Sequence, residues 1–143
     1  MHTASEAMER FFRTFETNAA SHDVDAQVSQ FADVFMAAGP RGAQAVRVAD
    51  FALALPKKKQ LFDKLGCRST ELIDLKEQRL GDRYVMASTR WKLTFVQADT
   101  TAQDVVAESL YIVDTGGDEA RIVFYLANQD LMKVLRERGL LAA

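Results

Sequence analysis

Apolar residues follow two different spacings along this chain. In the first third, "TASEAMERFFRTFETNAA" repeats Met8, Phe11, Phe12, Phe15 and Ala19 at steps of three and four. That spacing predicts an amphipathic helix with one buried stripe. Thr3 and Glu6 stand three apart, the spacing of a capping box. "SHDVDAQVSQFADVF" predicts a short second helix, capped by Ser21 or Asp23 and burying Val24, Val28 and Phe31. "DVFMAA" then reads as a strand, turned by Gly39, Pro40 and Gly42, with "AQAVRVADF" returning antiparallel to it. Next comes a turn through 51–55. A helix beginning at Pro56, where the missing N–H is harmless, runs from there to Gly66.

From residue 69 the period becomes two. "STELIDLKEQRL", "YVMASTRWKLTFVQ", "VVAESLYIV" and "ARIVFYLA" predict four long strands. Gly81-Asp82 and Gly116-Gly117 suit the tight turns of the first and last hairpins. "ADTTAQD" is a looser link. Asn128 fits the N-cap of a closing helix, with Asp130 in its first turn and Lys133, Arg136 and Arg138 towards its other end, as the helix dipole favours. Leu131, Val134 and Leu135 form its apolar side and Gly139 its stop. Helices first and an antiparallel meander afterwards make the fold class α+β.

The turns fix which side chains share a face. A two-residue turn at Gly81-Asp82 places Leu72, Asp74, Lys76 and Gln78 with Val85, Ala87, Thr89, Trp91, Leu93 and Phe95. The second set is mostly apolar and should meet the helices, bringing Asp74 and Lys76 near Thr89 on the concave side. In the last hairpin, Ser109, Tyr111 and Val113 share a face with Ala120, Ile122, Phe124 and Leu126. Leu110, Ile112, Val123 and Tyr125 lie opposite. Both of these faces are apolar. A sheet with one face in water should alternate apolar with polar, so the outer patch predicts a cover: a second copy, giving a two-fold homodimer. Glu108 and Arg121 would lie at the edge of that interface.

Composition narrows the possibilities. The 143 residues suit one domain spanning 1–143, with a net charge of −2. That balance gives no reason to expect a nucleic-acid partner or an anionic membrane surface. The apolar runs are broken by charge and too short to span a bilayer. The first residues lack the basic stretch and apolar core of a secretory signal. Cys67 is the only cysteine. It cannot form an internal disulfide, and it fits a reducing cytoplasm. Two separated histidines and one thiol assemble no zinc-type ligand set, and no cofactor is expected. His22, with Asp23 and Asp25 beside it, reads as a helix-end cluster. Lys57, Lys58 and Lys59 read as a solvated helix face, and Cys67 as an inert small residue.

The order of elements resembles the nuclear transport factor 2-like superfamily, which includes SnoaL-like cyclases and ketosteroid isomerases. The resemblance covers nearly the whole chain. It rests on the first helix, on "DVDAQVSQFADVFMAAGP" and on "ESLYIVDTGGDEARIVFYL". It implies a strongly curved sheet wrapped around the N-terminal helices, with a cone-shaped pocket open at one end. Members of the family include enzymes, binding proteins and association domains, so the fold leaves activity open. The isomerases place a general-base aspartate early in the first strand. Aligned on Pro40, that position is Val34, and Asp33, one residue away, points to the other face. The isomerases' oxyanion tyrosine has no counterpart, because the first helix has no tyrosine. Several relatives have a histidine near the end of the last strand. Here Asn128 stands nearby, and an amide moves no protons.

Trp91 and Tyr111 are the leading pocket residues, since each joins a large apolar ring to one polar tip. Thr89 and Ser109 would add hydroxyls, and Phe124, Leu126 and Asn128 would extend the same wall to the rim. Asp74 is the only acid the predicted register aims inward. A buried carboxylate is costly unless paired, so a wet position at the rim is its competing reading. Three functions follow. The first is a module binding a small, largely apolar molecule. The second is a cofactor-independent isomerase or cyclase using Asp74 with Tyr111 or Trp91. The third is a homodimeric association domain with a vestigial pocket. An inward, buried Asp74 beside a cavity would favour the enzyme, and a filled cone the association domain.

Overall fold

In a computed structural model, residues 1–99 and 101–141 are described. Two residues, His2–Thr3, form a first strand, β1. The helix α1 spans Glu6–Ser21 and α2 spans Val24–Val28. A hairpin of β2 (Phe31–Gly39) and β3 (Gly42–Arg47) follows, then α3 (Val48–Lys64). The long strands are β4 (Cys67–Leu80), β5 (Tyr84–Val96), β6 (Ala102–Asp114) and β7 (Arg121–Ala127), and α4 is Leu131–Glu137. All seven strands join one curved, unclosed sheet in the order β1-β4-β5-β6-β7-β2-β3. The class is α+β, as the change of period predicts. Each sequential pair is antiparallel, but β2 meets β7 in parallel.

The first helix starts later than its predicted capping box. Thr3 is taken up by β1, where it pairs with Lys76. Ser5 is the N-cap and accepts from the Met8 N–H. Asp23 caps α2 by accepting from the Ala26 N–H. The largest departure is α3, which starts at Val48 and carries Pro56 in its interior. An interior proline costs a helix about 3 kcal/mol. Packing on both sides of it offsets that cost. Phe51 stacks on Phe31 and Phe35 with ring centres 4.7 and 5.2 Å away, and Phe62 lies 6.2 Å from Phe95. Leu53, Ala54 and Lys57 are exposed, so water can reach the stretch of helix around the proline.

Behind α3 the chain turns at Gly66, with φ +82°. Its carbonyl accepts from the Val96 N–H at 2.8 Å. A Cβ there would stand 2.3 Å from the Val96 carbonyl oxygen, so both the backbone angle and the space require glycine.

The core lies on the inner side of the sheet. Val85, Ala87, Thr89, Trp91, Leu93 and Phe95 of β5 are all buried there, as predicted. From α1, Met8 and Phe12 are buried, and Phe15 reaches Phe12, Phe31, Trp91 and Tyr111 with centroid distances of 5.6–6.2 Å.

Candidate functional site

Two registers decide what points into the cone. The β4–β5 turn contains three residues, because Leu80 pairs with Tyr84. That one extra residue turns the end of β4 over. Leu75 now faces Thr89 and Glu77 faces Ala87, while Asp74 pairs with Arg90 and Lys76 with Ser88 on the outer face. A bulge at Ile73 restores the predicted register, so Leu72 does oppose Trp91. The acid on the inner side is therefore Glu77, which is buried. Asp74 is half-buried on the other side. Glu77 accepts from the Ser5 N–H, which anchors the start of α1 to the sheet.

In the last hairpin the faces also exchange. Val113 pairs with Ile122, but Ile112 pairs with Phe124, which leaves Val123 as the extra residue. Beyond it, Tyr125 comes inside, with its ring 5.1 Å from that of Tyr111. Phe124 and Leu126, predicted for the pocket wall, instead face outward beside Ile112 and Leu110. Asn128 is exposed, and the N-cap of α4 is Asp130, which accepts from the Lys133 N–H. Asp33 and Val34 are both exposed, so neither offers a buried base.

The inner polar groups form a compact set on β5, β6 and β7. The Trp91 indole N–H donates to the Thr89 hydroxyl at 2.8 Å. That hydroxyl donates to the Ser109 carbonyl at 3.0 Å. The indole N–H and the threonine O–H are therefore both engaged within the protein. Burial pushes the Tyr111 phenol well above its usual range, Tyr125 adds to the shift, and the Ser109 hydroxyl partly opposes it. Burial raises Tyr125 as well, against the same serine. The set can donate and accept hydrogen bonds, but it contains no carboxylate, imidazole or amine.

Rings fill the space around these groups. Phe12 stands 5.3 Å and Phe15 5.6 Å from Tyr111, and Phe15 is also 5.6 Å from Trp91. Two open depressions lie elsewhere on the surface. One is an open groove lined by His2, Thr3, Ser5 and Glu77 to Arg79, and the other runs along Arg10, Arg13, Thr14 and Thr17 of α1. Among the described residues no group of histidines, cysteines or acids is arranged to hold a metal. No helix among them is long and apolar enough to cross a membrane.

The outer face divides into two halves. Across β4, β5 and the start of β6 it is charged: Lys92 pairs with Glu71 at 3.4 Å and Arg90 with Glu108 at 3.3 Å. Across β6, β7, β2 and β3 it is apolar. Met86, Ile112, Phe124, Met36 and Ala45 stand side by side on five neighbouring strands. Ser88, Leu110, Leu126, Ala38 and Ala43 form the next row. Met36 is 38 % exposed, and the other large side chains of both rows are half-buried.

No protein-family model and no curated protein matches the sequence. Solved structures match the fold. A nuclear transport factor 2-like protein with a cystatin-like fold from Novosphingobium aromaticivorans is 15 % identical with a TM-score of 0.72, over 96 % of this chain and 88 % of that one. A nuclear transport factor 2-like protein of unknown function from Shewanella oneidensis is 14 % identical with a TM-score of 0.68, over 87 % and 98 %. The β subunit of benzoate 1,2-dioxygenase from Burkholderia mallei is 14 % identical with a TM-score of 0.66, over 90 % and 92 %.

Proposed function

This chain has the nuclear transport factor 2-like cone fold, and from that fold and its surface we propose that it is an association domain that pairs with a second copy of itself. The carrying observation is the pair of apolar rows on the outer face of β6, β7 and β2, next to a charged half where Lys92 pairs with Glu71 and Arg90 with Glu108. Contiguous apolar side chains left partly open to solvent on a sheet face are the kind of patch that marks interaction sites. The rows are self-complementary in chemistry, as an isologous two-fold contact requires. The ring-filled interior agrees with this reading. A fold neighbour named as an enzyme's β subunit also fits a chain that works by assembly. Leu110 and Ile112 remain in the interface, Phe124, Leu126 and Met36 join it, and Tyr125 leaves it for the core. Sedimentation equilibrium at micromolar concentration tests the proposal. A dimer is expected for the natural chain and a folded monomer for Phe124→Asp. A monomeric natural chain would overturn it.

A second reading has its own support. Ser109, Tyr111 and Tyr125 gather three hydroxyls on the inner face, and a small apolar molecule with one polar group would suit them if the rings of α1 moved aside. Native mass spectrometry of protein purified from its own host tests this. A retained small molecule, lost in Tyr111→Phe, supports it. A chain that always travels empty, and whose Trp91 fluorescence ignores hydrophobic probes, removes it.

A further inference from the structure

The two edges of the sheet are finished differently. On the β4 side, β1 pairs with Lys76 and Glu77. Four residues along β4 from Lys76, α1 holds Leu72 at both its polar groups. Glu16 accepts from the Leu72 N–H at 2.6 Å, and Arg13 donates to the Leu72 carbonyl at 3.1 Å. Bulges near Arg68 and Ile73 bend the same strand. Pairing, side-chain capping and bulges are the usual means of blocking an edge. The β3 edge has none of these. Its register with β2 is unbroken from Gly42 to Arg47. Among the described residues, no hydrogen bond other than those to β2 reaches it. Its sequence, "GAQAV" before Arg47, has no proline, no charge and only small or slender side chains. Gly42, Ala43, Gln44 and Ala45 are all exposed.

We propose that this edge receives an extended segment of another protein as an eighth strand, and that the segment carries acidic residues six positions apart. Backbone hydrogen bonds give affinity in such strand addition, while side chains set specificity. Here the specificity lies at the ends. Arg41, in the β2–β3 turn, and Arg47, at the end of β3, flank the uncharged stretch, and both are exposed. Arg47 has no ion-pair partner among the described residues, and Arg41 is 82 % exposed even where it meets Asp130. A second copy of β3 fits less well. Antiparallel pairing about the middle of the strand would set Arg41 against Arg47 at both ends, and like charges directly opposite are destabilising.

The test uses the whole chain and two synthetic heptapeptides, EVTVTVE and KVTVTVK, with blocked ends. The acidic peptide should bind saturably, roughly fivefold tighter than the basic one, as two exposed cross-strand ion pairs imply. Hydrogen exchange should slow in residues 42–47. Arg47→Glu should cancel or reverse the preference, and Arg47→Gln should weaken it if the glutamate variant folds poorly. The Phe124→Asp chain, expected to be a monomer, should bind the acidic peptide as the natural chain does, which separates this edge from the proposed dimer face. Equal binding of the two peptides, or no protection at 42–47, would overturn the proposal. So would loss of binding in Phe124→Asp. Protection that rises with protein concentration alone would overturn it in favour of a second copy.

Discussion

Tyr111 shows what a residue's pattern reveals and what it hides. An aromatic in an alternating strand, with Val113 on the same face, was expected to face inward, and Tyr111 does, as do Trp91 and Thr89. The sequence does not show whether the polar tip meets a ligand or a neighbour. The Trp91–Thr89–Ser109 chain is closed by contacts within the protein, and it depends on which strand lies next to which. The buried phenol has a measurable consequence. Its ionisation is raised by burial first of all, so the folded state favours the neutral form. An unfolded tyrosine ionises near pH 10. The stabilisation is therefore complete below about pH 10 and is lost as pH rises, because the unfolded chain gives up its proton first. Urea unfolding at pH 8 and at pH 11 should show Tyr111→Phe losing less stability between the two than the natural chain, by close to one proton's slope. Equal losses would mean the phenol is not protected from ionisation.

At the scale of elements, the period and type of the long strands were legible, while the start of α3 and the strand registers were not. All four long strands and the inner face of β5 follow from alternation alone. The register errors came from single residues: a third residue in the β4–β5 turn, whose effect ends at the bulge at Ile73, and a bulge at Val123. Each reverses the side chains beyond it, which moves Asp74, Phe124 and Leu126 outward and Glu77 and Tyr125 inward. Nothing local to those positions marks them. Caps fared similarly. Asp130, two residues past the expected Asn128, starts α4. Asp130→Ala should lower stability by about 1 kcal/mol, while Asn128→Ala, at an exposed site, should change little. Thermal unfolding of the two variants checks the pair, and a reversed order would return the cap to Asn128. Gly66 is a stricter case, since its φ and the nearby Val96 carbonyl exclude any side chain. Gly66→Ala should cost at least about 2 kcal/mol, measured as the shift in urea midpoint. A cost well under 1 kcal/mol would show that β4 and β5 can separate there without penalty.

For the whole molecule, the sequence announced an apolar face in excess of one core, and the structure places it on one half of the outer sheet. The argument for a partner copy then turns on energetics. If two chains cover that half, unfolding must also separate them, so folding is linked to association by mass action. The melting temperature should then rise with protein concentration, whereas a monomer's would not. The slope should persist at high salt, because the contact is apolar. Phe124→Asp places a carboxylate in the middle of the first row, between Ile112 and Met36. It should remove the concentration dependence while leaving a folded chain, because Phe124 faces away from the core. Asp74→Ala, on the charged half of the same face, should leave the slope as it is. Concentration-independent melting of the natural chain, measured over a hundredfold range, would show that the apolar rows are bare in solution.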